Sequence, residues 1–428
     1  MFAKRKTIVT AIELGTSKIC VLIGECQDDE DNVIVIGRGE VDSNGAVVKG
    51  EIIDMDKAVE LLSDAVDQAD ELSGKRLSES KFIGVGVTSS GITSFQNVGS
   101  AIVRSPDGII SEDDIAEAGK NSKLVHLPYD RVKIETFSSY FLLAGQRRVS
   151  DPIGQISRKL DAYVNVIHGD FDRISLFTKL VTDCGVGDEE LVFPVFTGIA
   201  AAQSILTDEE KNNGVIFIDM GAGTSEYLVV HNGGVMSSGV IPVGFEHVAN
   251  DLSLILNLHI DNCRKLIVDG TITALSAQGR GFIEQKNFNS RNVKIPLLSF
   301  EKIIEERLRE IFEIIKSRVA KEISLRDLAS GGVLTGGGAM FPRTADIFRS
   351  VFECPVRVGK PFDASGAITD LESPRCSAVW GILKYGNIYL KSGRIESGGI
   401  IDAASSLLDN AAGNIMHGIR NVWNSLKV

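Results

Sequence analysis

Cysteine pairs at metal-ligand spacing, long apolar runs and an excess of basic charge are all missing from this 428-residue sequence. The six cysteines (Cys20, Cys26, Cys184, Cys263, Cys354 and Cys376) form no C-x-x-C pair and fall mostly within apolar segments. That argues against a zinc site or a disulfide framework and predicts buried, reduced thiols in a cytoplasmic protein. No apolar run is long enough to cross a bilayer. The first six residues are basic but lead straight into a strand pattern, not into the apolar centre of a signal peptide. A net charge of −12 leaves no basic footprint for a nucleic acid. With 24% charged and 43% hydrophobic residues the chain reads as globular, and its length suits two to four domains.

What is present is a strand–acid–glycine–hydroxyl–strand pattern, and it occurs twice. The apolar run 215–218 delivers Asp219 to the mouth of a sheet, Gly221, Gly223, Thr224 and Ser225 make a turn, and 227–230 returns as a strand. Asn232-Gly233 then signals a tight hairpin. Without Cβ atoms, Gly221 and Gly223 let backbone N–H groups approach a phosphate, and Thr224 and Ser225 add hydroxyl donors. Asp219 suits Mg²⁺ or its water shell, because that ion prefers oxygen ligands. One such turn is as readily an ordinary glycine hairpin. Residues 7–24 repeat the pattern with Glu13, Gly15, Thr16, Ser17 and Lys18. Residues 331–342 add a strand that runs into Gly336, Gly337, Gly338 and Met340, bare backbone on which a flat base or ribose can pack. Two equivalent turns about two hundred residues apart imply a duplicated unit facing itself across a cleft. This set and order resembles the actin–Hsp70–sugar kinase superfamily, with two phosphate loops and an adenosine loop.

Along the chain, 7–41 reads as three strands, and Asp54 caps a helix that Gly74 stops. From Phe82 the pattern changes to strands at 82–88 and 94–103, a capping box at Ser111–Asp114, and further strands at 132–143 and 160–167. This insertion resembles that of the FtsA family of actin-like bacterial division proteins. The likeness is carried by Gly84–Val87, Ser94-Phe95, Ile110–Asp114, Leu127-Pro128, and Asp151–Gly154 ahead of Arg158–Asp161. It continues through Thr207–Val215, Val240–Gly244 and Pro355–Gly359, over nearly the whole chain. The resemblance implies an α/β, actin-like (ribonuclease H-like) duplicated fold with an FtsA-type 1C insertion and a C-terminal amphipathic helix. Its subdomains would be 1A at 1–81, 163–194 and 377–391; 1C at 82–162; 2A at 195–244 and 328–376; and 2B at 245–327. A linker at 392–409 and a membrane-targeting helix at 410–428 would follow.

The same resemblance implies ATP and Mg²⁺ in the cleft. Gly15, Thr16, Ser17 and Lys18 would form the first phosphate loop, and Gly221, Gly223, Thr224 and Ser225 the second. Gly336, Gly337, Gly338 and Met340 would floor the adenine, with Arg264 and Lys265 at the ribose. Glu13, Asp219 and Glu226 would hold the metal, mostly through water. Gln203, on a helix similar to the connecting helix of actin, would orient the attacking water; its plain alternative is a polar residue closing the cleft. Glu13 and Glu226 stand where the family's loops normally carry Asp, each moving its carboxylate by about 1.5 Å. Misplacement near an angstrom costs on the order of a hundredfold in rate, so the expectation is nucleotide binding with, at most, weak hydrolysis. Phe193-Pro194, where relatives often show Glu-Pro, points the same way.

Helix 300–323 carries an apolar stripe, read as core, and a mixed charged face with Arg307 and Arg309. That face is a solvated surface or, on the resemblance, the dock in 2B for the C-terminal peptide of the tubulin-like ring protein FtsZ. Only 42 residues follow Gly386, too few for the peptide-binding domain of an Hsp70. Within them Ile415, Met416, Ile419, Val422, Trp423 and Leu426 make one apolar stripe after a Gly/Ser-rich stretch. Such a helix either folds back on the body or lies in an anionic membrane with Trp423 at headgroup level. The expectation is a filament-forming protein, peripheral on the cytoplasmic side of the inner (cell) membrane, bound to lipids, to itself, to FtsZ and, through 1C, to later division proteins. The rivals are a PilM-like pilus assembly protein and a small-molecule kinase of the same superfamily.

Overall fold

Apolar β-branched residues at 8–12 and 19–23 favour strands, and glycine-containing turns let each pair fold back on itself. The computed structural model describes residues 6–27, 32–277, 279, 281–289, 291–363, 365–366 and 370–391. Strand Lys6–Leu14 pairs antiparallel with Lys18–Gln27, and that strand with Val33–Asp42. Helix Met55–Ser73 starts where the Asp54 side chain accepts from the Lys57 N–H and ends at Gly74, φ +74°. Strands Ser80–Val87 and Val192–Phe196 then add in parallel beside the first strand. The spatial order is third, second, first, fourth, fifth, with Ser365–Gly366 on the outer edge of the third.

The second half repeats this order. Val215–Met220, Ser225–His231 and Gly234–Ile241 form the antiparallel set, turned by Asn232 and Gly233 at φ +53° and +74°. Gly332–Thr335 and Val356–Val358 add in parallel on the other side. Identical strand order in two halves is the duplication that the paired turns imply. The halves are joined by a connecting helix, Thr197–Ile205, and by the last helix, Ser377–Lys391. Ser377 ties them: its Oγ lies 2.7 Å from Thr335 Oγ1, and its carbonyl accepts from Ser204 Oγ at 3.1 Å.

The insertion comprises strands Thr93–Ile102, Arg131–Leu143, Arg147–Val149 and Lys159–Asp170, with helix Glu112–Lys123 opened by the Ser111/Asp114 capping box. Its first strand meets the free edge of the second half at Thr93 and Gly239, so nine strands run on as one sheet. Ser94 Oγ donates to Ser238 O at 2.9 Å and Ser139 Oγ to Val235 O at 2.5 Å across that seam. Several boundaries differ from the sequence reading, Phe196 and Ser365–Gly366 also lying in the first sheet. Strand Ser80–Val87, assigned there to the insertion, belongs to the first sheet, because its apolar residues pair with Lys6–Leu14. The insertion's last strand runs on to Asp170, past the expected end at 162.

Arg131 clamps the root of the insertion. Its guanidinium donates to His168 Nδ1 at 3.0 Å, Asp170 at 2.5 Å and Gly91 O at 2.6 Å, so it holds entry and exit strands together. Burial, then the Arg131 charge, holds His168 below its ordinary pKa, which keeps Nδ1 free to accept. Arg131→Ala is expected to lose about 2–3 kcal/mol in urea melts, because it strands Asp170 and His168 half-buried, and to speed hydrogen exchange at 91–93 and 168–170.

Between Gly234–Ile241 and Gly332–Thr335 lie helices Phe245–Leu256, Ile260–Val268, Thr271–Ala277 and Leu297–Val319, and a hairpin of Phe282–Lys286 with Asn292–Pro296. The long helix starts three residues before the expected 300 and stops at Val319, and its stripe (Ile304, Leu308, Ile311, Phe312, Ile315) is buried as core. Among the described residues no helix is long and apolar enough to cross a membrane. The predicted linker and the apolar stripe from Ile415 to Leu426 lie outside the described residues.

Candidate functional site

The two glycine turns have the same internal bond. Gly15 N–H donates to Lys18 O at 2.9 Å, and Gly221 N–H donates to Thr224 O at 2.9 Å. They meet across the cleft: a Cβ built on Gly223 would lie 2.2 Å from Thr16 Oγ1 and 2.8 Å from Lys49 N. Thr88 Oγ1 also donates to Thr224 Oγ1 at 3.3 Å. A ligand between the turns therefore requires the halves to part. Ser17 is exposed, whereas Ser225 is buried and its hydroxyl donates to Val243 O at 2.7 Å, which commits it to the fold.

Behind the turns stand Glu13, Asp219 and Glu226, with Asp219 and Glu226 opposite each other on paired strands. Glu13 Oε2 is buried with no hydrogen-bond partner. Burial raises the pKa of Glu13, with the Lys18 charge opposing. Burial, then the charges of Glu226 and Glu13, pushes Asp219 well above the ordinary carboxylate range. Burial pushes Glu226 up to about 7, against the opposing influence of the neighbouring Thr88 and Thr197 hydroxyls. Thr197 Oγ1 lies 2.7 and 2.8 Å from the two Glu226 oxygens and 3.2 Å from Val87 O. A hydroxyl has one proton for these three acceptors. A protonated Glu226 that donates to Thr197, which donates on to Val87, satisfies the set.

This carboxylate surplus, with one orphaned oxygen, fits a cation. Among the described residues no group of three His, Cys, Asp or Glu side chains is spaced to hold a metal ion directly. Lys18 is only 5% exposed, and its Nζ lies 3.4 Å from Glu40, which also pairs with Arg38 at 2.9 Å. Burial works to lower the Lys18 pKa, but Glu13 and other neighbours raise it on balance, so the residue stays charged.

At the third loop Gly336 takes φ +81°, and a Cβ there would sit 2.3 Å from Asp219 Oδ1 and 2.5 Å from Met220 O. Gly338 packs on the Phe245 ring, while Gly337 faces open space with Arg375 Cγ 3.9 Å from its Cβ position. Met340, 51% exposed, stands at the lip. Gly337, Met340 and Arg375 form a shelf. Arg264 is tied to Glu246 and, at 2.8 Å, to Asp261; Lys265 is exposed. Arg307 is bidentate to Asp251 at 2.6 and 2.8 Å and bonds Glu310 at 2.6 Å, so its charge is already paired. Arg309 lies 3.4 Å from Glu305.

Gln203 falls elsewhere. It lines a cavity of about 20 Å³ with Phe137, Ile199, Leu228 and Val235, and its Oε1 is buried without a partner. It stands six residues beyond Thr197, on the order of 9 Å along the helix axis. The residue this helix brings to the acids is Thr197. Sequence reasoning missed Thr88, Thr197, Glu40 and Arg375, none of which lies in a glycine motif; only the pairing of distant strands brings them in.

Comparisons with known proteins bear on the family and the fold. The family model described as "Cell division protein FtsA" matches residues 216–381, and that of the "SHS2 domain inserted in FTSA" matches 89–168. Together they take in more than half of the chain. The cell division protein FtsA of Neisseria meningitidis is 28% identical over 385 residues, covering 89% of this chain and 90% of the relative. That of Bacillus subtilis is 28% identical over 356 residues, covering 83% and 79%. Among solved structures, a chain of the PilM–PilN type IV pilus biogenesis complex superposes with TM-score 0.57 at 11% identity, covering 89% of this chain and 98% of that one. MreB5 of Spiroplasma citri bound to ADP superposes with TM-score 0.52 at 13% identity, covering 91% and 99%. At these identities the solved structures speak to the fold alone, which is that of actin-like proteins. A duplicated sheet pair with this insertion, matched by both family models and by relatives over most of its length, means that the chain belongs to the FtsA family of cell division proteins.

Proposed function

We propose that this protein binds ATP with Mg²⁺ between its two glycine turns, assembles with copies of itself, and tethers the FtsZ ring to the inner face of the cell membrane. The observation that carries the nucleotide reading is the pair of equivalent turns meeting in front of Glu13, Asp219 and Glu226. Thr16, Ser17, Thr224 and the turn amides would hold phosphates, with Lys18 as a buried positive charge. The shelf at Gly337, Met340 and Arg375 would take the base, and Arg264 and Lys265 the ribose. The metal would share water with Glu13 and Asp219. MreB5, which has the same fold, is bound to ADP, and this supports the reading.

The subdomain plan follows the same reading: the two sheets as 1A and 2A, the insertion as 1C, and the helical region as 2B. Arg307 and Arg309 would meet the FtsZ peptide; for Arg307 this entails exchange of Asp251 for a peptide carboxylate, an exchange that favours an acidic ligand. The PilM-like alternative rests on fold similarity at 11% identity, whereas the sequence relatives are division proteins.

Membrane attachment would come from the stripe Ile415, Met416, Ile419, Val422, Trp423 and Leu426. One such helix binds weakly, and many on a filament bind by avidity. On lipid monolayers with ATP, electron microscopy is expected to show filaments for the full chain and none for a chain ending at Asn410. Equal decoration by the truncated chain would remove the membrane assignment. Phosphate transfer to candidate small-molecule acceptors in a parallel assay would favour the kinase reading.

A further inference from the structure

The connecting helix follows strand Val192–Phe196 of the first sheet, and its first residue contacts a carboxyl of the second sheet. At its first turn Thr197 Oγ1 lies 2.7 and 2.8 Å from the two carboxyl oxygens of Glu226, a residue of the second sheet. Gly198 leaves the room: a Cβ there would sit 3.0 Å from Glu226 Oε2. Thr197 also reaches Val87 O at 3.2 Å, at the end of the first half's fourth strand. Glu226 is 5% exposed and Thr197 4% exposed, so water does not compete for the contact. Asp219 and Glu13, by contrast, are half-buried, and Glu13 Oε2 has no partner.

We propose that Thr197 is a positioning residue that captures the Glu226 carboxyl against the connecting helix, so that Glu226 latches the two halves together and leaves Glu13 and Asp219 to face the metal. The second clause rests on the nucleotide reading above; the latch does not. The longer side chain of Glu226 is what lets it reach the helix. A carboxyl one methylene shorter, drawn back by about 1.5 Å, falls out of hydrogen-bond range of Thr197. Because the turns already touch through Gly223 and Thr16, any parting of the halves to admit a ligand works against this bond first.

Two measurements test it. Hydrogen exchange without nucleotide reads the latch: Thr197→Val and Glu226→Asp are each expected to speed exchange at 86–88 and 197–200 tenfold or more, and Thr197→Ser to keep the parental rate. Unchanged exchange in Thr197→Val and Glu226→Asp, with both folded by circular dichroism, overturns the latch. The second measurement is the magnesium concentration that half-saturates binding of a fluorescent ATP analogue. Asp219→Asn is expected to raise it tenfold or more, and Thr197→Val not to raise it, because a looser latch eases the parting of the halves. A tenfold rise in Thr197→Val would make Glu226 a metal-facing group that Thr197 positions, and would overturn the division of roles. If the parent protein binds no analogue, the nucleotide reading and the division of roles fall together, while the exchange result still decides the latch.

Discussion

Gly336→Ala is expected to abolish nucleotide binding and to lower stability, whereas Gly337→Ala is expected to cost affinity alone. Gly336 sits at φ +81° and ψ 173°, an extended positive-φ conformation that is essentially restricted to glycine and costs an L-residue about 1–3 kcal/mol. Its Cβ would in addition meet Asp219 Oδ1 at 2.3 Å and Met220 O at 2.5 Å, and neither can move far. Met220 is fully buried in the strand, and Asp219 is one of the acids facing the cleft. Displacing Asp219 would disturb the metal site proposed above, and a loss of nucleotide affinity is the expected result. Gly337 has no such neighbour: its Cβ position meets only Arg375 Cγ, at 3.9 Å. Thermal melting should therefore leave Gly337→Ala within about 1 kcal/mol of the parent. Fluorescent-nucleotide titration should show it weakened, because the added methyl stands on the shelf proposed for the base. Equal affinity in Gly337→Ala and parent would move the base elsewhere.

Glu226→Gln is expected to make the protein more stable at pH 8 and no different at pH 4. The folded-state pKa of Glu226, about 7, lies above the ordinary value of 4.5 because the carboxyl is buried. With a raised folded pKa the folded state binds more protons, so the contribution to stability is fully present below 4.5 and is lost as pH rises through 7. At 1.36 kcal/mol per unit this amounts to roughly 3 kcal/mol at pH 8. Glutamine is neutral throughout and escapes the loss. Subtracting parent from variant in urea melts at pH 4, 6 and 8 cancels Glu40 and Glu210, whose pKa values are lowered by their neighbours despite burial, and reads Glu226 together with Asp219, whose carboxyl the Glu226 charge pushes up. A flat difference across that range would show that the carboxyl is solvated in the folded protein.

The duplicated plan was legible before any coordinates, and the reason is local. Strand, acid, glycine and hydroxyl follow one another within a dozen residues in 215–230 and again in 7–24, and each turn closes through neighbouring backbone groups. Asp54 and Gly74, Ser111 and Asp114, and Asn232-Gly233 act in the same way, each within a few residues of the group it satisfies. The hairpin at 282–296 was missed because its strands are short and carry polar residues, leaving little alternation to read.

Which side chains face the acids was a different matter. Gln203 has the chemistry for a water-orienting group, but helix rotation turns it into an apolar cavity, while Thr197 two turns earlier faces Glu226. Arg307 reads as a free cation until Asp251, 56 residues away, is found against it. Local composition thus determined the strands, the turns, the caps and the presence of two phosphate-loop candidates, since those depend on bonds between near neighbours. The tertiary structure alone decided the partners of Lys18, Glu226 and Arg307 and the seam between insertion and second sheet. Those depend on which distant strands lie side by side, and no short stretch of sequence contains that information.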